Sequence, residues 1–225
     1  MYAFIKRMID FLSSLFIIIL LTPFLIPIII GLVFTGEGYV WYFQERVGLK
    51  NKNFMIWKFA TMLKDSVNMK GGIITSINDP RITPLGSLLR RTKINELPQL
   101  INIVKGDMSF VGPRPVMPKS FEVYPRVVRK SIYNVKPGLT GLGSLFFRNE
   151  EELIQKAEAA GIKPWKFYKN EIYPFKGQLE TYYQKTRGFK TDFKILVATA
   201  LGLFFGANDL FYKFFPNAPK KTFSI

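Results

Sequence analysis

The chain has 225 residues, enough for one domain with a sizeable core, and it carries a formal net charge of +16. It contains neither cysteine nor histidine, which excludes disulfides, thiolate or imidazole nucleophiles and Cys/His zinc sites. Any catalysis therefore falls to lysine, tyrosine, a metal ion or one of the 16 acidic residues.

The strong positive charge indicates an anionic partner, either nucleic acid or a membrane. Nucleic-acid phosphates attract Lys and Arg in any sequence, but no zinc finger, RNP motif or heptad repeat is present. The basic residues are interleaved with long apolar runs, and 22 Phe, 10 Tyr and 3 Trp accompany them. Aromatic and cationic residues together are typical of a membrane interface. We therefore expect membrane lipid as a partner and no nucleic acid.

The N-terminus contains an uncharged apolar run at positions 11–34, preceded by Lys6, Arg7 and Asp10. At about 1.5 Å per residue in a helix, this run is long enough to cross a bilayer core of about 30 Å. A plain transmembrane helix is therefore the first interpretation. The run is too long for the apolar core of a signal peptide, and no small-residue cleavage site follows it.

The prolines in this run favour a different arrangement. Pro23 follows Thr22 near the middle, and a proline in a helix interior removes a hydrogen bond and bends or breaks the axis. Basic residues flank both ends of the run, whereas a simple span keeps its basic flank on the cytoplasmic side. We therefore predict a re-entrant helix-break-helix at residues 1–36, broken at Thr22 and Pro23, with Thr22 bonding backbone groups that the proline frees. A kinked full span is the alternative.

A cytoplasmic catalytic domain is predicted at residues 37–188. Within it, the imperfect alternation at positions 54–59 predicts a short strand or buried segment in which Lys58 is a cation among apolar neighbours. Lys58 either extends its ammonium to solvent or lipid phosphate, or it binds a substrate phosphate. Both alternatives remain open from the sequence.

The polar segment 79–118 is the strongest indication of an active site. It contains three acidic residues and six cations, a surplus that suits a phosphate-bearing substrate. Gly-Asp is common turn chemistry, which assigns Asp107 to a turn. The acidic residues are Asp79, Glu96 and Asp107, and the cations include Arg90, Arg91 and Arg114.

Two local patterns in this segment favour anion binding. Asn95 and Glu96 lie at a predicted helix entrance, where free N–H groups and the helix dipole attract either the Glu96 carboxylate or a bound phosphate. An ordinary capped surface helix is the alternative for this pair. Pro113 and Pro115 bracket Arg114 and restrict its backbone, which makes the guanidinium a rigidly mounted ligand for an anion.

The C-terminal segment 189–225 contains an uncharged run at 195–206, which is too short to span a bilayer, followed by aromatic and basic residues. Such a run forms a buried core helix or lies in the membrane interface. The whole chain is therefore predicted to be α+β and mainly helical, a monotopic membrane protein with interfacial amphipathic helices on its cytoplasmic domain.

Several segments of the chain carry a long and specific resemblance to a known family. The motifs are LRRTxxxELPQLxNxxKGDMSxVGPRP at 89–115, Lys6-Arg7-x-x-Asp10, Glu45-Arg46-Val47-Gly48, Trp57-Lys58-Phe59 and Lys136-Pro137-Gly138-Leu139-Thr140-Gly141. Together they resemble the signature of the bacterial sugar transferases, the monotopic polyprenol-phosphate phosphoglycosyl transferases. The resemblance covers roughly two thirds of the chain.

The resemblance implies transfer of a phospho-sugar from a nucleoside diphosphate sugar, expected to be a UDP-sugar, to polyprenol (undecaprenyl) phosphate. Such a step initiates glycan or exopolysaccharide assembly. It implies Mg²⁺, which suits carboxylate and phosphate oxygens, with Glu96 at the metal. It also implies location at the bacterial inner membrane with the catalytic domain facing the cytoplasm, and it is compatible with a homodimer. We expect Lys58, Arg90, Arg91 and Arg114 to hold substrate phosphates.

One residue departs from the family pattern at the reacting position. In the family an Asp-Glu pair precedes Leu-Pro, and the Asp attacks the β-phosphate to form a covalent phospho-sugar intermediate. Asn95 replaces that Asp here, and a carboxamide is a poor nucleophile. Either another carboxylate such as Glu96 attacks, or the lipid phosphate attacks directly, or the chain is inactive. The alternative function is a catalytically inactive membrane scaffold that binds lipid phosphate.

Overall fold

The computed structural model describes residues 1–66, 68–69, 79–205 and 208–221. Helices dominate this part of the chain and two small two-stranded sheets accompany them, in agreement with the predicted α+β, mainly helical class. The helices are α1 (Tyr2–Phe34), α2 (Pro84–Arg91), α3 (Gln99–Lys105), α4 (Pro118–Phe121), α5 (Arg126–Ser131), α6 (Leu142–Phe146), α7 (Glu150–Ala159), α8 (Pro164–Phe167), α9 (Tyr173–Thr186), α10 (Phe189–Phe205) and α11 (Asn208–Phe214). The strands are β1 (Trp41–Val47), β2 (Asn53–Phe59), β3 (Ser109–Val111) and β4 (Gly138–Thr140), and shorter helical turns lie at Leu49–Asn51, Ile94–Glu96 and Tyr168–Ile172.

Helix α1 is long and apolar enough to cross a membrane, and it stays helical through both of its prolines, Pro23 and Pro27. The predicted break at Thr22–Pro23 therefore does not interrupt the helical backbone. The Thr22 hydroxyl donates to the Ile18 carbonyl at 2.8 Å. Pro23 lacks the N–H that would donate to the carbonyl of Ile19, four residues earlier. The Thr22 hydroxyl therefore bonds the carbonyl of Ile18 and not, as the prediction required, the carbonyl that the proline frees.

One face of α1 packs on the rest of the protein along most of its length. Ile17 and Leu21 pack against a cluster that includes Leu100 of α3 and Ile56 of β2. Further along, Leu32 is buried with the core of β2 and α2. The opposite face is apolar and exposed, with Phe16 at 66%, Phe24 at 68% and Phe34 at 84% exposure.

Polar residues at the start of α1 fasten it to the elements that lead to the site. The Arg7 guanidinium donates to the carbonyls of Ile103 at 2.6 Å and Val104 at 2.8 Å. A cation at the carboxyl end of α3 satisfies free carbonyls and complements the helix dipole. The Asp10 carboxylate accepts a hydrogen bond from the Phe110 backbone N–H at 3.3 Å. These contacts connect α1 to α3 and β3.

A buried carboxylate connects α1 to α10. Asp192 accepts hydrogen bonds from the Tyr2 hydroxyl at 2.7 Å and the Tyr183 hydroxyl at 2.8 Å, and it pairs with Lys6 at 2.5 Å. The C-terminal run forms α10, and the choice between a core helix and an interfacial helix stays a prediction. Ile195 is fully buried, whereas Phe193 is 68% exposed.

The two sheets bring the predicted site segments together. Strands β1 and β2 form an antiparallel hairpin in which Lys58 pairs with Tyr42, and the strand predicted around Lys58 is confirmed. Asn102 of α3 holds this hairpin, because its Oδ1 accepts from Trp57 N–H at 3.0 Å and its Nδ2 donates to the Met55 carbonyl at 2.8 Å. The predicted short strand therefore lies directly against the helix that follows Glu96.

Strands β3 and β4 are parallel and meet at a close backbone crossing. A Cβ atom on Gly138 would lie 2.1 Å from the Gly112 nitrogen, and one on Gly141 would lie 2.1 Å from the Gly112 oxygen. No side chain fits at such distances, so these glycines are required by packing. This crossing fixes the backbone immediately before Pro113 and Arg114.

Candidate active site

The centre of the candidate site is the carboxylate of Glu96. Its Oε1 lies 2.9 Å from Lys58 Nζ and 2.6 Å from Arg114 Nη2. Its Oε2 accepts a longer bond of 3.4 Å from Arg114 Nη1. Glu96 ends the short turn that precedes α3, and Lys93 begins that turn in the left-handed conformation. Strand β2, this turn and the segment after β3 each contribute one charged group.

Burial and the mutual charges of Glu96, Lys58 and Arg114 together determine the protonation states of these side chains. Burial alone would raise the pKa of Glu96, but the charges of Arg114 and Lys58 outweigh burial and hold it well below its ordinary value. Burial lowers the pKa of Lys58 to about 8, although Glu96 opposes the change. Glu96 is therefore ionised at neutral pH, and Lys58 loses its proton as the pH rises through about 8.

The Lys58 ammonium does not extend into solvent, because it is paired with Glu96 and its side chain is only 16% exposed. Its contact with a phosphate stays a prediction, because the pairing with Glu96 does not test it. Arg114 pairs with the same carboxylate but its side chain is 41% exposed. Arg114 is therefore the more accessible of the two cations to an anionic ligand.

The backbone of Arg114 is held rigidly, as the flanking prolines predict. The Tyr133 hydroxyl donates to the Arg114 carbonyl at 2.8 Å and accepts from the Val116 N–H at 3.0 Å. Arg46 of β1 contacts the same loop, because its Nη1 donates to the Pro115 carbonyl at 3.1 Å. Burial, together with the nearby charge of Arg114, lowers the pKa of Arg46 to about 10. No sequence pattern assigned Tyr133 or Arg46 to the site.

Glu180 of α9 is a third residue near the site that no sequence pattern indicated. Its side chain is buried, and the backbones of Arg114 and Gly143 hydrogen-bond to it. Burial raises the pKa of Glu180 to about 8, which those bonds and Lys176 only partly counteract. Its Oε2 has no hydrogen-bond partner among the described residues. Glu180 thus supports the backbone of Arg114 in a largely protonated state at neutral pH.

Replacing Glu180 by Gln is expected to stabilise the protein at pH 8 and to have little effect at pH 4.5. The pKa of Glu180 in the folded protein lies above the ordinary glutamate value of 4.5, so the stabilisation from Glu180 is full below pH 4.5 and is lost as the pH rises toward 8. Each pKa unit corresponds to about 1.4 kcal/mol, and we expect a gain of a few kcal/mol at pH 8. Thermal unfolding at both pH values measures it. Glu158→Gln, an exposed carboxylate of α7, should show no such pH-dependent gain.

Asn95 is buried beside this cluster, with 7% of its surface exposed. Its side-chain carbonyl oxygen Oδ1 is buried without a hydrogen-bond partner among the described residues. The position that the family resemblance assigns to the nucleophile therefore lies next to Glu96 and carries a neutral, unpaired oxygen. No negative charge is available there for an attack on phosphorus.

Arg90 and Arg91, also predicted to bind phosphate, lie in the last turn of α2. Arg90 Nη2 is 4.0 Å from Glu151 Oε1 at the start of α7, and Arg91 is exposed. Within the part of the chain that the structure describes, neither forms an ion pair with Glu96. The structure therefore brings Glu96, Lys58 and Arg114 into contact and leaves the two α2 arginines outside that contact.

The other two carboxylates of the polar segment have structural partners. Asp79 forms a buried salt bridge of 2.6 Å with Arg81, whose Nη1 also donates to the Ser66 carbonyl at 3.1 Å. Asp107 follows the left-handed Gly106, and its N–H donates to the Asn102 carbonyl at 2.9 Å. The predicted turn role of Asp107 is confirmed. Both carboxylates therefore stabilise the chain around the site.

Replacing Asp79 by Asn is expected to lower the free energy of unfolding by about 3 kcal/mol or more. The change removes the carboxylate charge with which the buried Arg81 guanidinium pairs at 2.6 Å, and breaking a buried pair has a large cost. Chemical denaturation followed by circular dichroism measures this loss. Asp107→Asn is the matched control, since Asp107 is 31% exposed and lies 3.8 Å from Lys105, so its loss should stay below about 1 kcal/mol. Equal losses in the two variants would contradict the structural role of Asp79.

The structure therefore combines a cation–carboxylate cluster, in which Glu96 pairs with Lys58 and Arg114, with a long apolar helix α1. A family model described as "Bacterial sugar transferase" matches residues 1–206, and the chain belongs to this family. The resemblance found in its motifs is thereby confirmed.

Several curated relatives are 30 to 36% identical to this chain over the aligned segments. One is the UDP-N-acetylgalactosamine-undecaprenyl-phosphate N-acetylgalactosaminephosphotransferase of Aeromonas hydrophila, 36% identical over 62% of this chain and 33% of the relative. Another is the UDP-glucose:undecaprenyl-phosphate glucose-1-phosphate transferase of Escherichia coli K12, 36% identical over 68% of this chain and 34% of the relative. The exopolysaccharide production protein ExoY of Rhizobium meliloti is 30% identical over 76% of this chain and 82% of the relative. The chain thus spans about a third of the first two relatives.

Proposed function

We propose that the protein transfers a phospho-sugar from a UDP-sugar to undecaprenyl phosphate, and that this step initiates exopolysaccharide or glycan assembly. The observation that carries the proposal is Glu96 held between Lys58 and Arg114, a charged cluster beside an apolar helix. Two anionic substrates need cations, and a polyprenol acceptor needs a site near a membrane.

The names of the relatives support this reaction class. Two of them name a transfer between a UDP-sugar and undecaprenyl phosphate, and ExoY is named for exopolysaccharide production. The named sugars differ, so the proposal concerns phospho-sugar transfer and does not select a sugar. The inactive scaffold is not favoured, since every relative named above other than ExoY is named as a transferase.

We propose direct attack by the lipid phosphate, because Asn95 supplies no nucleophile and Glu96 is held by two cations. An oxygen of undecaprenyl phosphate forms a bond to the sugar-linked β-phosphorus of the UDP-sugar. The bond from that phosphorus to the oxygen bridging the two phosphates breaks, and UMP leaves with the electron pair. Arg114, the exposed cation of the cluster, would stabilise the charge on the transferring phosphoryl group.

Magnesium fits this site only together with the substrate. Among the described residues no group of three or more acidic side chains is arranged to hold an ion. Glu96 and the diphosphate oxygens would hold Mg²⁺, because magnesium sites commonly use one or two carboxylates plus substrate phosphates. The bound ion would neutralise charge on the leaving phosphate. Loss of UMP release in EDTA and its recovery with MgCl₂ would check this assignment.

The re-entrant, monotopic topology at the inner membrane, with the catalytic domain in the cytoplasm, is also part of the proposal. It is supported by the contacts of α1, because Arg7 near its start and Leu32 near its end both touch the body that carries Glu96. A helix that crossed the bilayer would separate its two ends by the full membrane thickness.

We therefore expect cysteines introduced on both sides of α1 to react from the cytoplasmic side alone. The chain has no native cysteine, so Ala3→Cys and Lys52→Cys each report one exposed position. A membrane-impermeant maleimide applied to intact and to permeabilised cells gives the measurement. Labelling of one position in intact cells and of the other only after permeabilisation would establish a full span instead.

The transfer itself is tested by UMP release from purified protein with undecaprenyl phosphate. UDP-glucose, UDP-galactose and UDP-N-acetylgalactosamine form the first panel, and the expected result is release with at least one of them. The lipid product is a diphosphate-linked sugar, identified by mass spectrometry. Lipid binding without turnover over a broad panel of UDP-sugars would support the scaffold instead.

A further inference from the structure

A second cluster of cations lies away from Glu96, around a recess of about 280 Å³. We call it the basic recess. Its lining residues are Asn51, Phe121, Arg126, Arg129 and Lys130. None of these residues is acidic, and three carry a positive charge. Phe121 and the aliphatic stems of the cations provide an apolar floor under charged groups.

The cations of the basic recess lack protein counter-ions. Within the described part of the chain, Arg126, Arg129 and Lys130 form no salt bridge. The Nε atom of Arg129 is buried and has no hydrogen-bond partner there. A buried donor without an acceptor has a cost that a ligand can remove.

The turn beside the recess has an unusual backbone. Lys50 and Asn51 are consecutive non-glycine residues in the left-handed region, with φ of 55° and 58°. Such residues cost free energy and are concentrated at ligand sites. Their conformation is held by the Lys50 N–H, which donates to the Tyr133 carbonyl at 2.7 Å, and by Asn51 Nδ2, which donates to the Arg129 carbonyl at 3.3 Å.

We propose that the basic recess binds a phosphate group, separately from the site at Glu96. Guanidinium groups match phosphate oxygens in pairs of hydrogen bonds, and three unpaired cations favour an anion over a neutral ligand. The phosphate belongs either to a phospholipid headgroup or to a soluble phosphorylated compound. Val127, an exposed apolar residue of α5, lies between Arg126 and Arg129 in the sequence. It does not distinguish a phospholipid headgroup from a soluble phosphorylated compound.

The recess is connected to the candidate active site through one aromatic residue. The Tyr133 ring lies 5.7 Å from the Phe121 ring, which lines the recess. The hydroxyl of the same Tyr133 donates to the Arg114 carbonyl at 2.8 Å. A ligand against Phe121 would therefore contact a ring that packs on Tyr133, the residue whose hydroxyl bonds the Arg114 carbonyl.

The proposal is tested by hydrogen–deuterium exchange of the full chain, read in α5 and compared with the chain in dodecyl maltoside micelles, which contain no phosphate. The recess variants below separate phosphate bound in the recess from phosphate bound near Glu96. One arm adds inorganic phosphate or glycerol 3-phosphate to those micelles. The other uses nanodiscs containing phosphatidylglycerol and no soluble phosphate. Slower exchange of α5 in the first arm assigns a soluble ligand, in the second a lipid headgroup, and in both a shared phosphate site. Unchanged exchange in both arms overturns the proposal.

The double variant Arg126→Gln/Arg129→Gln is expected to weaken half-saturation at least about tenfold, equal to about 1.4 kcal/mol. The matched control Lys156→Gln/Lys163→Gln removes the same charge from exposed positions outside the recess and should leave binding unchanged. Equal binding by the two double variants overturns the proposal. Should the recess variant unfold, the exposed Lys130→Gln replaces it, and unaltered affinity in that variant also overturns the proposal.

Discussion

Replacing Glu96 by Gln is expected to reduce the rate of UMP release by about a thousandfold. The change removes the charge that positions both Lys58 Nζ, at 2.9 Å, and Arg114 Nη2, at 2.6 Å. Losing one preorganised electrostatic group in an active site has cost about a hundredfold to a thousandfold elsewhere. Here a single substitution releases two cations and also removes the proposed magnesium ligand, so the loss should reach the upper part of that range.

Steady-state UMP release with undecaprenyl phosphate and the best UDP-sugar of the panel measures this loss. Glu152→Gln, an exposed carboxylate of α7, should keep full activity. Glu96→Asp keeps the charge on a shorter side chain and should retain more activity than Glu96→Gln. A melting temperature within a few degrees of the unmodified protein shows that the fold is preserved. Full activity in Glu96→Gln would remove Glu96 from the mechanism.

Replacing Asn95 by Asp is expected to create a covalent phospho-sugar intermediate and to change which substrates are needed for UMP release. The new carboxylate would lie beside Glu96, where the Asn95 oxygen is now buried and unpaired. Its oxygen would bond to the β-phosphorus of the UDP-sugar as the bond to the bridging oxygen breaks and UMP leaves. The variant should therefore release about one UMP per chain without any lipid acceptor.

Intact-mass spectrometry after mixing with the UDP-sugar alone detects the adduct. The unmodified protein should show neither adduct nor acceptor-free UMP release, because the proposed attack comes from the lipid phosphate. Asn134→Asp places the same new charge at an exposed position and should behave like the unmodified protein. An adduct in the unmodified protein would show that another carboxylate performs the attack, and direct transfer would then be wrong.

Local patterns predicted much of the candidate site. The prolines beside Arg114 predicted a conformationally restricted backbone. Hydrogen bonds to the Tyr133 hydroxyl hold this loop in the structure. The Gly-Asp step predicted a turn at Asp107, and Gly106 has the left-handed φ of 93° that such a turn uses. The strand around Lys58 was also predicted. Each of these features depends on a few neighbouring residues, which is why sequence patterns detect them.

Other parts of the site depend on contacts between distant segments. Glu180 is 66 positions from Arg114, and nothing in the α9 sequence distinguishes it from a surface glutamate. The interruption expected at Pro23 did not appear, because the packed face of α1 supports helical structure on both sides of the proline. Proline chemistry predicts the missing hydrogen bond, whereas packing determines whether the helix continues.

The sequence by itself determined the family, the cationic character, the apolar length of α1 and the residue types at positions 95, 96 and 114. These properties follow from composition, spacing and motif, which need no folded chain. Only the tertiary structure decided that Lys58 and Arg114 share the Glu96 carboxylate, that Asp79 pairs with Arg81, and that unpaired cations surround Phe121. Such pairings depend on which distant segments are buried against each other in the folded protein. Local sequence spacing does not encode these long-range contacts.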